Sequence, residues 1–147
     1  MIDTEFIKRK VALITEELER LKEFKDLTID ETAKDFKIQA VVERLLERII
    51  TRTIDINQHI LAEKGVDIKL ARTYRETFLR LADIGVYPSE FARTIAPSAG
   101  LRNALVHDYN NIDEEILHKS ITDAIVEFNE YGKYVLSFVE KEKGEKN

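Results

Sequence analysis

Of the three histidines in this 147-residue chain, His59, His107 and His118, only His107 stands among other groups able to act on a phosphodiester. The run Arg102-Asn103-Ala104-Leu105-Val106-His107-Asp108-Tyr109 gathers a guanidinium, an amide, an imidazole and a phenol. On a helix turning about 100° per residue, Leu101, Ala104 and Leu105 share one side, which is predicted to face the core. Arg102 points away from that side, and Asn103 and His107 lie on one edge, four residues apart. Tyr109 falls on the stripe of Arg102 if the helix reaches that far. The polar groups are thus expected to crowd the rim opposite the helix's own core face. One rim leaves a side open to water, so a pocket needs a second wall. The simplest source is the same rim of a second copy across a two-fold axis.

These residue types suit metal-independent cleavage of RNA. An imidazole, whose ordinary pKa is about 6.5, can take the 2′-hydroxyl proton or supply one to the leaving oxygen. Arg102 offers a planar fork of donors to a phosphate whose charge grows in the transition state. Asn103 can orient the imidazole or hold a phosphate oxygen. Attack by the neighbouring 2′-hydroxyl leaves a cyclic phosphate and spares DNA. No carboxylate and histidine cluster at metal-ligand spacing adjoins the segment, so no metal or cofactor is expected. From spacing alone a plainer reading outweighs this one: an Arg and a His at a helix end, satisfying its last carbonyls and its dipole.

The elements that must position these groups read as helical nearly throughout. The composition is 44% hydrophobic and 35% charged with only five Gly and two Pro, which favours helices over strands and disorder. A first helix is predicted from a cap at Asp3 or Thr4, with Phe6, Ile7, Leu13, Ile14, Leu18 and Leu21 as its apolar stripe. Thr28 and Glu31 form a capping box. A long helix from about Asp35 to Lys64, stopped by Gly65, is apolar on more than one side and therefore central. Thr73 with Glu76 opens a further helix that ends at Gly85, and Pro88 suits the first turn of the next. Pro97 forces a kink or restart, so the motif helix is expected over Ser98–His107. Asn110-Asn111 reads as a turn, Asp113 as the cap of a last helix through Val139, and Glu140–Asn147 as a frayed tail. Short connections give an up-and-down bundle in one domain, residues 1–147.

No apolar run is long enough to span a membrane, no secretory signal is visible, and Cys is absent, so a cytoplasmic location is expected. A formal net charge of −5 argues against a general nucleic-acid coating protein but leaves room for a local basic groove.

Arg44, Arg48 and Arg52 recur every four residues on the long helix. They could track an RNA backbone or an acidic partner, although a solvated face paired with Glu43 and Glu47 is the preferred reading. Asp55 and His59 are spaced so that the carboxylate could orient the imidazole, with a hydrogen bond inside the bundle the plainer role and an extension of the active groove the sharper one. His118 reads as ordinary surface. Phe128, Tyr131, Tyr134 and Phe138 read as packing rather than as platforms for bases.

The octet resembles the R-x4-H-x-Y signature of the HEPN superfamily, specifically the HepT-like toxins. The polar residue after the arginine, the apolar pair before the histidine and the tyrosine two beyond it all agree. The layout is similar too, with an amino-terminal helix, a long central helix, Ala99-Gly100-Leu101 before the motif and a long last helix. The resemblance implies an all-α fold, an up-and-down four-helix bundle with additional short helices, in a homodimer. It implies an endoribonuclease toxin with Arg102 and His107 catalytic. It also implies a partner, a minimal nucleotidyltransferase antitoxin that adenylylates Tyr109. An AMP group there would place negative charge beside Arg102 and occupy the arginine the substrate needs. The alternatives are a HEPN domain without catalysis that serves as the binding subunit of a nucleotidyltransferase, and a purely structural helical dimer. The intact Arg102 and His107 speak against the first, and the polar rim against the second.

Overall fold

Local chain signals set where the helices begin and end. In a computed structural model describing residues 1–67, 73–107 and 112–145, seven α-helices form and no strand is found among them. Helix α1 (Thr4–Leu21) starts at Asp3, whose carboxylate accepts from the Phe6 N–H at 3.0 Å, and a 3₁₀ turn over Lys22–Phe24 follows it. Helix α2 (Ile29–Lys34) opens on the expected box: Thr28 Oγ1 accepts from Glu31 N–H, and the Glu31 carboxylate accepts from Thr28 N–H. Helix α3 (Phe36–Glu63) is capped by Asp35 and followed by Gly65 at φ +71°, a left-handed turn that a side chain would strain.

Thr73 caps α4 (Tyr74–Asp83) by accepting from Glu76 N–H. Helix α5 (Ser89–Ile95) follows Pro88, and α6 (Ser98–His107) begins just past Pro97, as expected of a residue without an N–H. Asp113 caps α7 (Glu114–Glu145) by accepting from the N–H groups of Glu115 and Ile116. The Asn110-Asn111 turn, with Asp108 and Tyr109 of the motif, lies outside the described residues.

One boundary differs from expectation. The stretch from Glu140 is helical to Glu145 rather than frayed. Ion pairs anchor it: Lys8 Nζ lies 3.3 Å from Glu140, and Lys64 Nζ 2.8 Å from Glu142. No helix among the described residues is long and apolar enough to cross a membrane.

Helix α3 is central, packing against α1, α2, α4, α6 and α7. It buries Leu45, Leu46, Ile49, Ile50, Ile56 and Ile60, each removing apolar surface worth about 1.5–3 kcal/mol. The buried stripe of α1 is Ile7, Val11, Ile14, Leu18 and Leu21, at strict three-to-four spacing. Val11 takes a place in that register, and Phe6 and Leu13, expected in the stripe, are only half-buried beside it. The aromatic run on α7 is packing, as expected. Phe128, Tyr131 and Phe138 are buried, and Tyr134 lies 5.0 Å from Phe91 and 6.0 Å from Tyr87, ring centre to ring centre.

A chain of polar groups crosses this apolar interior. The Tyr131 hydroxyl on α7 donates to Asn57 Oδ1 on α3 at 2.5 Å. Asn57 Nδ2 donates to Thr77 Oγ1 on α4 at 3.1 Å, and the Thr77 hydroxyl donates to the Tyr74 carbonyl at 2.6 Å. Tyr131, Asn57 and Thr77 are all buried, and burial pushes the Tyr131 phenol well above its ordinary pKa. Tyr131→Phe would leave the Asn57 carbonyl without its closest donor. That variant is expected to lose about 1–3 kcal/mol of stability, read as a lower midpoint in chemical denaturation; an unchanged midpoint would show that the chain contributes nothing.

Candidate active site

The motif helix rides on the bundle rather than inside it. Helix α6 packs on α3 and α4, and a groove of about 510 Å³ parts it from α7. Ala99 is the residue of α6 that is buried; Leu101, Ala104, Leu105 and Val106 are each half-buried. Leu101, Ala104 and Leu105 thus form a less complete core side than expected, because this short outer helix has neighbours on only part of its circumference.

Arg102 departs from expectation as well. It does not point away from the bundle but lies back across α3 and α4. Its Nε donates to Thr51 Oγ1 at 3.3 Å, and the guanidinium carbon sits 5.1 Å from the Tyr74 ring centre. The physical reason is that a half-buried guanidinium gains a hydrogen bond and a cation–π contact there. Its terminal nitrogens have no partner among the described residues.

His107 is exposed at the last residue of α6, with no hydrogen bond or ion pair among the described residues, and Asn103 is exposed one turn earlier. Arg102 and His107 are five residues apart, which on a helix means about 140° of rotation and about 7.5 Å along the axis. Within one chain they therefore face different ways. The expected edge of Asn103 and His107 holds; the expected rim shared with Arg102 does not. Tyr109 lies outside the described residues.

The arginine stripe divides. Arg44 pairs with Glu47 at 3.2 Å, as expected, but Arg48 and Arg52 both turn to Glu17 of α1, with Nε to Oε1 distances of 3.2 and 3.0 Å. Glu17 is buried, its side chain only 3% exposed. Glu43 takes no ion pair among the described residues, and partial burial raises its carboxyl pKa. The Glu17 position was legible, because it stands in the buried register between Ile14 and Leu21.

Asp55 and His59 do not meet. Asp55 accepts from Lys10 Nζ at 3.1 Å, while His59 Nε2 accepts from Asp3 N–H at 3.0 Å and its ring packs on Phe6. His59 therefore fastens the amino end of α1 to α3. His118 is not ordinary surface: its Nε2 lies 2.6 Å from the Leu27 carbonyl, which only a protonated ring nitrogen can satisfy. In the groove, burial and then repulsion from Asp123 push the Glu127 carboxyl up to about 7, with Lys119 partly offsetting them. The groove is consequently less negative near neutral pH than its carboxylates alone suggest. Thr51 and Tyr74 carry no sequence signal that links them to the motif; only the packing of α6 brings them to Arg102.

The model of the family Ribonuclease HepT-like matches residues 14–135. The chain is 34% identical over 140 residues to tRNA nuclease HepT of Aphanizomenon flos-aquae (strain 2012/KM1/D3), covering 94% of this chain and 92% of that protein. It is 26% identical over 98 residues to mRNA nuclease HepT of Shewanella oneidensis, covering 67% and 72% of the two. Its fold agrees, at a TM-score of 0.79 and 23% identity, with a tri-AMPylated Shewanella oneidensis HEPN toxin solved in complex with an MNT antitoxin, over 93% of this chain and 99% of that one. The matched span, the identity to a HepT nuclease and the all-helical bundle carrying α6 on α3 together place this chain in the HepT-like ribonuclease family.

Proposed function

We propose that the protein is the toxin of a toxin–antitoxin pair, a metal-independent endoribonuclease acting as a homodimer, with Arg102 and His107 as its catalytic residues. The observation that carries this reading is the state of those two side chains. Arg102 is braced on Thr51 and Tyr74 with its terminal nitrogens unengaged among the described residues, and His107 stands exposed at the helix end. A guanidinium so presented suits a phosphate, and an exposed imidazole suits proton transfer. In the proposed reaction the 2′-oxygen attacks phosphorus as an imidazole removes its proton. The bond to the 5′-oxygen breaks as a proton is returned to it, leaving a 2′,3′-cyclic phosphate and a 5′-hydroxyl.

The dimer is supported by α6 itself. Arg102 and His107 face different ways in one chain, and Leu101, Leu105 and Val106 are half-uncovered. A second α6 across a two-fold axis would cover the apolar residues and bring the arginine of one copy toward the histidine of the other. Asn103, beside His107, would orient the ring or hold a phosphate oxygen. Arg44 is the most exposed of the stripe and the best placed to follow an RNA backbone; Arg48 and Arg52 could assist only while holding Glu17.

The partner is proposed from the solved relative, which is an AMPylated HEPN toxin bound to an MNT antitoxin. A nucleotidyltransferase antitoxin would adenylylate Tyr109, setting a phosphate within reach of Arg102 and blocking the site.

Three outcomes test this reading. Purified protein should cut tRNA in the presence of EDTA, and His107→Ala should slow cutting at least ~100-fold while the circular dichroism and melting temperature stay put; undiminished cutting removes His107 from the chemistry. Mixing Arg102→Ala with His107→Ala should restore up to about a quarter of wild-type activity, since about half the dimers are mixed and each holds one complete site; no recovery sinks the shared cleft. Label from α-labelled ATP should be transferred by the partner enzyme to wild-type protein and not to Tyr109→Phe; equal labelling of both moves the modification elsewhere. Label on Tyr109 in a protein that cuts no RNA would favour the binding-subunit alternative.

A further inference from the structure

We propose that Thr51 and Tyr74 are positioning residues that set the guanidinium of Arg102 edge-on to the substrate phosphate; this rests on the reading of Arg102 as the phosphate-binding residue. A half-exposed arginine has many rotamers, and freezing it at the moment of reaction carries an entropic cost. The two contacts remove different freedoms. The hydrogen bond from Nε to Thr51 Oγ1 at 3.3 Å fixes the guanidinium within its plane. The Tyr74 ring, 5.1 Å from the guanidinium carbon, fixes the tilt of that plane. With one edge bonded and one face covered, the two terminal nitrogens, without a partner among the described residues, are left as a fork. That is the part of the group that matches two phosphate oxygens.

Both supports are themselves held. Thr51 stands in the middle of α3, the helix against which most of the bundle packs. Tyr74 is the first residue of α4, and its carbonyl accepts from the Thr77 hydroxyl at 2.6 Å. Thr77 is bonded in turn to Asn57, and Asn57 to Tyr131. The platform under Arg102 is therefore the outer end of a hydrogen-bonded chain rooted in the core. A side chain on α6 is aimed by groups on α3 and α4, so its direction survives even though α6 is only partly covered.

The test compares kcat and KM on tRNA and on an unstructured RNA oligonucleotide for Thr51→Val, Thr51→Ser, Tyr74→Leu and Tyr74→Phe. Loss of the hydroxyl in Thr51→Val, or of the ring in Tyr74→Leu, is expected to lower kcat about tenfold with little change in KM. Thr51→Ser keeps the hydroxyl and Tyr74→Phe keeps the ring face, so each should stay within about threefold of wild type. The proposal is overturned if the Val and Leu variants cut at the wild-type rate, if the Ser and Phe variants are as slow as they are, or if slow cutting is matched by early melting in both. Arg102→Ala, run beside them, separates the two levels. If it is inactive while Thr51→Val and Tyr74→Leu are fully active, only the positioning role falls. If it cuts normally, or if wild-type protein cuts neither RNA, the reading of Arg102 falls and this inference with it.

Discussion

The side chain on which the arrangement most depends is Asn57, an amide buried completely in the last two turns of α3. Away from water each end of that amide must find a partner of opposite character, or the fold loses about 1–3 kcal/mol per orphaned group. The carbonyl end requires a donor and receives the Tyr131 hydroxyl from α7. The amino end requires an acceptor and finds the Thr77 oxygen on α4. Each hydroxyl has one proton, and Thr77 directs its own to the Tyr74 carbonyl, so the chain runs one way from α7 to α4. Leucine and isoleucine surfaces tolerate several registers; this chain tolerates one. Sliding α7 by a single residue would turn Tyr131 by about 100° and open the connection. The same constraint fixes the first residue of α4, and with it the ring on which Arg102 rests.

Glu17 imposes a similar demand on the other side of α3. Its place in the apolar register of α1 carries a carboxylate into the interior, where Arg48 and Arg52 both pair with Oε1 and Oε2 has no partner among the described residues. Desolvation offsets most of the attraction in such a cluster, so its net contribution is small, whereas loss of Glu17 would leave the largely buried Arg52 without its carboxylate and cost far more. The consequence for function is a reassignment. A stripe of arginines on an acidic protein invites a nucleic-acid reading, yet two of its three members hold α1 to α3.

What was legible in the sequence was local. Asp3, Thr28 with Glu31, Asp35, Gly65, Thr73, Pro88, Pro97 and Asp113 act through bonds or steric limits within four residues, so each boundary they mark could be read without knowing the fold. The central role of α3 was legible because its apolar residues occupy more than one side. What escaped was decided across elements. The far end of α7 is held by Lys8 and Lys64, residues distant in sequence. His118 found a carbonyl ninety-one residues away, at Leu27. The motif supplied the identities of Arg102 and His107, but helical geometry alone sent Arg102 outward. The hydroxyl of Thr51 and the ring of Tyr74 drew it back, and no spacing rule reports them.

That inward turn changes what one chain can offer. With Arg102 leaning on α3 and α4 and His107 projecting from the end of α6, a single copy presents the two groups about 140° apart around the helix. The other two imidazoles offer no substitute, since His59 and His118 are already bonded to Asp3 and Leu27. A two-fold axis needs no new residue, because it presents the histidine edge of one α6 to the arginine edge of the other. It also answers the separate question of why Leu101, Leu105 and Val106 are left half-covered on a helix otherwise well formed. In the proposed dimer, covering those side chains and completing the phosphate site are the same event, so the hydrophobic gain of association is coupled directly to assembly of the chemistry.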